Sequence, residues 1–285
     1  MIVSMTGFGK TESQFNAKKI NIEIRSLNSK NIDLNFRLPH AYRELEPQLR
    51  KQLNQELKRG KIDVSIFIDH SGAETSTRLN TGVIEQYVEQ LQAIEPAERL
   101  ELLKMAVRLP DALKTEKEAL SEEEKNHLFD HFSQTLAQIN MHRHEEGKAL
   151  NDDFLFRIGQ LRELLEKVIV IEPERKEKVN GKLKEGVSKL AIDIDQNRFE
   201  QELIYYIEKY DITEEIVRLK NHLNYFQQIQ AGTEPVGKKL GFIAQEMGRE
   251  INTIGSKANH AELQKIVVQM KDELEKIKEQ LLNVL

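Results

Sequence analysis

The 285-residue chain has no cysteine, no tryptophan and only six prolines. Without cysteine there are no disulfides, no thiolate zinc centres and no cysteine nucleophile. No apolar run approaches the ~18 residues of a membrane-spanning helix. The opening Met1–Lys10 lacks the basic-then-apolar layout of a secretory signal. A soluble cytoplasmic protein is expected. Helix breakers are scarce, while Glu, Lys and Leu abound, so helix should dominate. Hydrophobic residues make up 39% and charged residues 31%. That is polar, yet the apolar positions recur with a period, which disorder would not produce.

The net charge of −5 hides an asymmetry. Residues 1–70 hold 12 Lys and Arg against 8 Asp and Glu, while the remainder holds 30 against 39. A basic N-terminal part fits an anionic partner held at that end.

Within residues 1–75 the pattern is α+β. Ile20, Ile22 and Ile24 alternate with Asn21, Glu23 and Arg25, and Leu34, Phe36 and Leu38 alternate with Asn35 and Arg37. Each reads as a half-buried strand. The polar link Ser26–Asn31 predicts a hairpin between them. Leu45, Leu49, Leu53 and Leu57 predict a helix over 42–58, ended by Gly60. Ile62, Val64, Ile66 and Ile68 give a further strand. With residues 2–9 as the first strand, the order is β-β-β-α-β. Phe36 and Phe67 are expected in the core, which leaves little aromatic surface for base stacking.

From residue 80 onward only helical period is visible. Helices are expected over 80–93, 98–107, 121–143, 145–171, 174–190, 196–208, 212–230, 236–251 and 260–284, punctuated by Pro96, Pro110, Pro173 and Pro235. The chain divides into an α+β domain over 1–75, a helical middle over 76–234 and a C-terminal helical block over 235–285. The last helix carries Leu263, Ile266, Val267, Met270, Leu274, Ile277, Leu281 and Leu282 at near-heptad spacing. It pairs with a partner helix or packs inside its own domain.

Gly7-Phe-Gly9-Lys10-Thr11 ends like a P-loop. However, Ser4 stands where the motif wants its first glycine, and strand rather than helix follows. His142-Arg-His144 and the pair His127 and His131 could bind metal, the latter two sharing a helix face four residues apart. Solvated helix histidines are the simpler reading.

A richer cluster lies further on. Glu215 and His222 are two turns apart on one helix, preceded by Asp211. Glu246 and Glu250 share a face of the next helix, and Glu202 lies on the helix before. Converging oxygens and one imidazole would suit Mg²⁺ or Mn²⁺. Against this, Asp211 with Glu214 matches a capping box, and Glu246 with Arg249 matches a surface ion pair. A basic and polar set near the N-terminus comprises Arg25, Asn28, Arg37, Arg59 and Lys61. Arg25 and Arg37 should project from the non-core face of their strands, where guanidinium forks hold phosphates. A solvated strand face is the more common explanation for such a set.

Blocks along the whole chain are similar to the YicC/YloC family of bacterial endoribonucleases. They include Ser4-Met-Thr6-Gly-Phe-Gly9, Glu23–Asn28, Phe36–Pro39, Leu45–Pro47, Arg59-Gly-Lys61, Glu146-Gly147, Asn197–Glu202, Asp211–Glu215 with His222, Gly237–Leu240 and Gln245–Lys257. The resemblance implies a divalent-metal-dependent endoribonuclease acting on single-stranded or small regulatory RNA. It also implies a homo-oligomer, a hexamer around the RNA. Glu202, Asp211, Glu215, His222, Glu246 and Glu250 are the expected metal ligands. Glu246, Arg249, Glu250 and Lys257 are the expected catalytic group. Arg25, Asn28, Arg37, Arg59 and Lys61 would hold flanking backbone. The competing reading is a non-catalytic RNA-binding adaptor that recruits another nuclease.

Overall fold

The computed structural model describes residues 2–70, 77–115, 120–188, 196–232 and 236–285. The expected division at 75/76 and the stop at Pro235 lie outside them. The fold is α+β, as the patterning implied. An N-terminal sheet is followed by a mostly helical remainder.

Four strands form the sheet: β1 (Gly7–Phe15), β2 (Lys18–Leu27), β3 (Ile32–Arg37) and β4 (Gly60–His70). Their spatial order is β1-β2-β4-β3. The first strand starts later than expected, at Gly7. The predicted hairpin between β2 and β3 is absent. β2 is flanked by β1 and β4, so neither of its edges is open to β3. Instead β3 pairs parallel with β4. The return is made by a 3-10 turn over His40–Leu45 and helix α1 (Glu46–Glu56). The true hairpin joins β1 to β2 through Asn16-Ala17. Asn16 sits at φ 51°, a left-handed conformation that asparagine tolerates.

Ile20, Ile22, Ile24, Ile62, Val64 and Ile66 point to one face of the sheet and are buried. Leu45, Leu49 and Leu53 of α1 cover that face beside Leu128, Phe132, Leu136 and Ile139 of a much longer helix. The opposite face is open.

That longer helix is α4 (Glu122–Ser188), 67 residues and roughly 100 Å at 1.5 Å per residue. It replaces three expected helices. Pro173 lies inside it without ending it. A proline removes one backbone bond, but side chains hold this turn. Glu172 and Arg175 are both buried and paired, with Arg175 Nε 2.6 Å from Glu172 Oε2. Arg175 also donates to the Tyr210 carbonyl.

The middle segment holds α2 (Thr81–Ile94) and α3 (Arg99–Ala106) around a small core with Ile84, Val88 and Leu102. It also holds β5 (Thr77–Leu79) and β6 (Leu113–Thr115), an antiparallel pair that helical periodicity could not reveal in three-residue strands. Helix α5 (Gln196–Tyr210) follows. Helices α6 (Thr213–Gln230), α7 (Gly237–Lys257) and α8 (Ala261–Leu281) then pack on the second half of α4. Phe154, Ile158, Leu161 and Val168 of α4 meet Leu219, Leu223, Leu240, Met247 and Met270 in one core. Seven of the eight seam residues are buried there, while Leu282, just past the end of α8, is 64% exposed. The heptad-like spacing therefore serves the helix's own domain, and no partner helix is needed to cover it.

Candidate nucleic-acid face and a basic cavity

The two ends of the chain are laced together over the middle of α4. Ser4 N donates to the Arg143 carbonyl at 3.0 Å, Met5 N to Asn283 at 2.7 Å, Leu285 N to Val3 at 3.1 Å and Gly237 N to Leu285 at 2.9 Å. The contact is close enough to require glycine. A Cβ on Gly147 would lie 2.3 Å from the Ile2 carbonyl oxygen, and one on Gly9 would lie 2.5 Å from the Thr135 carbonyl oxygen. Thr11 Oγ1 meets Thr135 Oγ1 at 2.6 Å in a buried contact. The P-loop look-alike is thus a strand motif that seats β1 on α4. Next to it, Thr6 Oγ1 donates to Glu146 Oε2 at 2.7 Å and lies 2.9 Å from Ser4 Oγ. His142 Nδ1 stands 4.0 Å from that same carboxylate oxygen. This is a hydroxyl–carboxylate–imidazole chain at a half-exposed surface, a set able to hold or pass a proton.

On the open sheet face, side chains line up in rows across the strands. One row is Phe8, Arg25, Asp63, Asn35, and the next is Lys10, Glu23, Ser65, Arg37. Lys61 lies beside Leu27 and Asp33, and Phe67 beside Asn21. Arg25 and Arg37 are exposed on this face, as the alternation predicted. Phe67 is not in the core. It is 53% exposed, and Phe8 is 41% exposed. Parity explains it: Phe67 shares its face with Asp63, Ser65 and Asp69, opposite Ile66 and Ile68. Phe36 is half-buried under the Arg50 guanidinium, 4.8 Å from the ring centre.

Charge on this face is locally balanced. Glu12 accepts from both Lys10 and Lys19, each at 2.9 Å. Its carboxyl is held down to about 2, first by Lys19 and then by Lys10. Arg25 pairs with Glu23 and stands 5.6 Å from the Phe8 ring centre. Among the described residues, Arg37 and Lys61 make no ion pair, so they are the cations free for phosphate. Asn28 is exposed in the loop after β2. Arg59 is partly spent on structure, since its Nε donates to the Ser29 carbonyl at 2.9 Å.

The expected metal ligands do not come together. Among the described residues no three His, Asp or Glu side chains are placed to hold an ion. Their directions differ. Glu202 is exposed on α5. Asp211 turns back on its own chain, accepting from Thr213 N and Oγ1, and pairs with Lys176 at 2.8 Å. Burial pushes its carboxyl up, but Lys176 and Thr213 outweigh that and leave it lowered. Glu246 pairs with Arg249 at 2.8 Å on the outer side of α7. Glu215 is buried, with one oxygen 2.7 Å from Lys257 Nζ and the other without a partner. The α6–α7 hairpin is antiparallel. His222 is half-buried on α6 and Glu250 is buried on α7. The expected ligands form no closed ion shell among the described residues. Lys257 is likewise held by Glu215 rather than aimed at solvent.

The histidines have other duties. His127 Nε2 lies 3.1 Å from Ser13 Oγ, and the rings of His127 and His131 are 4.5 Å apart beneath β1. Burial, then the neighbouring His127, lowers the His131 pKa.

A cavity of about 590 Å³ opens where the sheet domain, α4, the start of α7 and the C-terminal segment meet. Lys58, Arg59, Arg143, His144 and Lys238 line it. Of these, sequence reading singled out Arg59 for binding. Lys58, Arg143 and Lys238 carry no binding signal in the sequence, since with His144 they come from three separate stretches of chain.

Comparison with known proteins agrees with the fold. Residues 2–152 match the family model "Endoribonuclease YicC-like, N-terminal region", and residues 168–285 match "Endoribonuclease YicC-like, C-terminal". A protein of Clostridioides difficile (strain 630) named "Probable endoribonuclease YicC" is 34% identical over 298 residues, spanning all of both chains. One of the same name from Haemophilus influenzae is 31% identical over 287 residues, again spanning both. The chain belongs to the YicC-like endoribonuclease family.

Proposed function

We propose that this protein is an endoribonuclease that lays single-stranded RNA across the open face of its sheet. The carrying observation is the pair of exposed rings, Phe8 and Phe67, on a face where Arg37 and Lys61 are free of ion pairs. Two strand spacings and four residues separate the rings, roughly 16 Å from ordinary sheet dimensions. They would therefore stack separate bases while the free cations take phosphates, the usual division of labour on a single strand. Duplex RNA hides its base faces, so this geometry favours unpaired segments.

The proposal includes a divalent-cation requirement, because in-line attack on a phosphodiester builds negative charge that an ion can neutralise. No step is assigned to such an ion here, since its expected ligands do not gather in one chain. Self-association is also proposed, as a hexamer. Ile204 and Tyr205 of α5 and Phe242 of α7 are more than half exposed, which is apolar surface suited to contact between copies.

The test is a labelled single-stranded RNA incubated with purified protein, with and without Mg²⁺ or Mn²⁺. Glu246→Gln, Glu146→Gln and Phe8→Ala/Phe67→Ala run beside it. Metal-dependent cuts that survive in neither carboxylate variant support an enzyme using both regions. Cuts lost only with Glu146→Gln place proton transfer at the N-terminal hub. Cleavage undiminished in EDTA removes the metal requirement. Binding without cleavage under every condition replaces the enzyme with the adaptor.

A further inference from the structure

Arg143 is 2% exposed and has no carboxylate partner among the described residues. Its Nε donates to the Ser4 carbonyl at 2.8 Å, while Nη2 is buried without any hydrogen-bond partner. Burial lowers its pKa. A guanidinium held this way carries a full desolvation cost with little to offset it. It forms part of the wall of the 590 Å³ cavity, which Lys58, Arg59, His144 and Lys238 also line. Lys58 and Lys238 are exposed at its rim and make no ion pair among the described residues. Helix α7 begins at this wall, where its first amide, Gly237 N, is already given to the Leu285 carbonyl at 2.9 Å. His144 Nδ1 donates to the Asn140 carbonyl at 2.7 Å, which leaves Nε2 open. The opposing charge is Glu56, and Asn140 Nδ2 donates to it at 3.3 Å. Val3 and Leu285 supply apolar wall. The volume falls within the roughly 300–1,000 Å³ of small-molecule sites.

From this we propose that the cavity binds a nucleoside monophosphate group. The phosphate would sit between Arg143, Lys58 and Lys238, and the nucleoside against the apolar wall. The group arrives either as a free mononucleotide or as the phosphorylated 5′-end of an RNA strand. A phosphomonoester supplies what the site lacks, a doubly charged acceptor with several oxygens. A phosphodiester within a chain supplies one charge and could not enter without its flanking nucleotides. The site is separate from the open sheet face and does not depend on cleavage.

The experiment is calorimetric titration of the full chain with AMP, adenosine and inorganic phosphate. It is repeated on Lys58→Glu/Lys238→Glu, on Arg143→Lys and on Arg37→Glu. AMP should saturate, with adenosine and phosphate each much weaker. The double charge reversal should weaken AMP by on the order of tenfold or more. Both lysines are exposed, so its melting temperature should not move. Arg37→Glu, on the sheet face, should leave AMP binding as it was. Arg143→Lys keeps the charge but loses the fork, and should lower AMP affinity. Oligonucleotides with a 5′-phosphate or a 5′-hydroxyl distinguish the sources. Preference for the phosphorylated strand that disappears in the double variant assigns the RNA end, and AMP binding without that preference assigns the free nucleotide. No saturation by AMP, or equal affinity in wild type and the double variant, overturns the proposal. Loss of RNA binding with Phe8→Ala/Phe67→Ala while AMP still binds separates this site from the proposed RNA face.

Discussion

Two glycines in one helix should respond to the same substitution with opposite signs. Gly147 and Gly159 both lie inside α4, where Gly→Ala ordinarily stabilises by about 1 kcal/mol. At Gly159 nothing lies within 4 Å of an added Cβ, so Gly159→Ala should realise that gain. At Gly147 the new methyl would stand 2.3 Å from the Ile2 oxygen and 2.9 Å from Val3 Cα. Both are backbone atoms that cannot rotate away. Overpacking of this kind costs ~1–3 kcal/mol. If residues 2–4 lift instead, the Ser4 N–Arg143 O and Arg143 Nε–Ser4 O bonds go, at ~1 kcal/mol each. The buried Ile2 side chain loses part of its packing as well. The net loss should be about 2–4 kcal/mol after the helix gain. At roughly 2–4 °C per kcal/mol for a chain of this order of size, Gly147→Ala should melt on the order of 4–16 °C below wild type. Gly159→Ala should melt a few degrees above it. Thermal unfolding followed by circular dichroism at 222 nm reads both. A Gly147→Ala protein as stable as wild type would refute the close packing of the N-terminal segment on α4.

Other expectations rest on separate regions. Phe67→Ala should weaken single-stranded RNA binding by ~1–3 kcal/mol in fluorescence anisotropy, with melting unchanged because the ring is half exposed. Arg37→Ala should reduce the salt slope of RNA binding by about one, and Arg25→Ala by less, because Glu23 already engages Arg25; equal slopes for the two would contradict the ion-pair assignment. Lys257→Met leaves the buried Glu215 unpaired and should cost about 2–3 kcal/mol in urea unfolding, discounted for the partly exposed lysine. Adding Glu215→Leu should recover most of it, and additive losses would show the pair is not coupled. His131 has a lowered pKa when folded, so the unfolded chain takes up its proton first. Stability from this group is therefore present above the ordinary value of 6.5 and is lost as pH falls below it. The melting temperature of His131→Leu should fall less than that of wild type between about pH 8 and pH 5, and parallel profiles would discard the assignment.

The strands and helices were legible wherever one side of an element is buried and the other wet. Ile20–Ile24 and Ile62–Ile68 alternate because a single face meets α1 and α4. Leu263–Leu281 keep a helical stripe because one side of α8 meets α7 and α4. Pairing was not legible. Nothing local tells β2 that both its edges are taken, so the polar Ser26–Asn31 link looked like a hairpin. Pro173 looked like a stop because the Glu172–Arg175 pair and the Tyr210 carbonyl that hold the turn are a tertiary matter. Phe67 was legible and misread: period-two parity places it with Asp63, Ser65 and Asp69, and its aromatic character was allowed to outweigh that.

The candidate site shows the same limit more sharply. Carboxylates spaced i, i+4 on neighbouring helices suggested a metal shell, but shared spacing says only that two groups leave one helix on one side. Whether the helix turns that side inward depends on the apolar residues around it. On α7, Leu240, Ala244, Met247, Ile251 and Ile254 turn Glu250 inward and leave Glu246 at the surface, where Arg249 takes it. The short blocks that carry the family resemblance behave differently. Ser4–Gly9, Arg59–Lys61, Glu146-Gly147 and Gly237–Leu240 are far apart in sequence and meet at the crossing of the two chain ends over α4. Their glycines admit close backbone approach, and Arg59 and Lys238 from them line a cavity whose buried Arg143 guanidinium has no carboxylate partner among the described residues. A purely structural seam would be satisfied by the hydrogen bonds already present between residues 2–6 and 283–285. It would gain nothing from Lys58, Arg143 and Lys238 standing together unpaired, since like charges in one cavity repel and a buried cation costs stability. That surplus of positive charge is therefore the strongest physical argument that the seam also receives an anion.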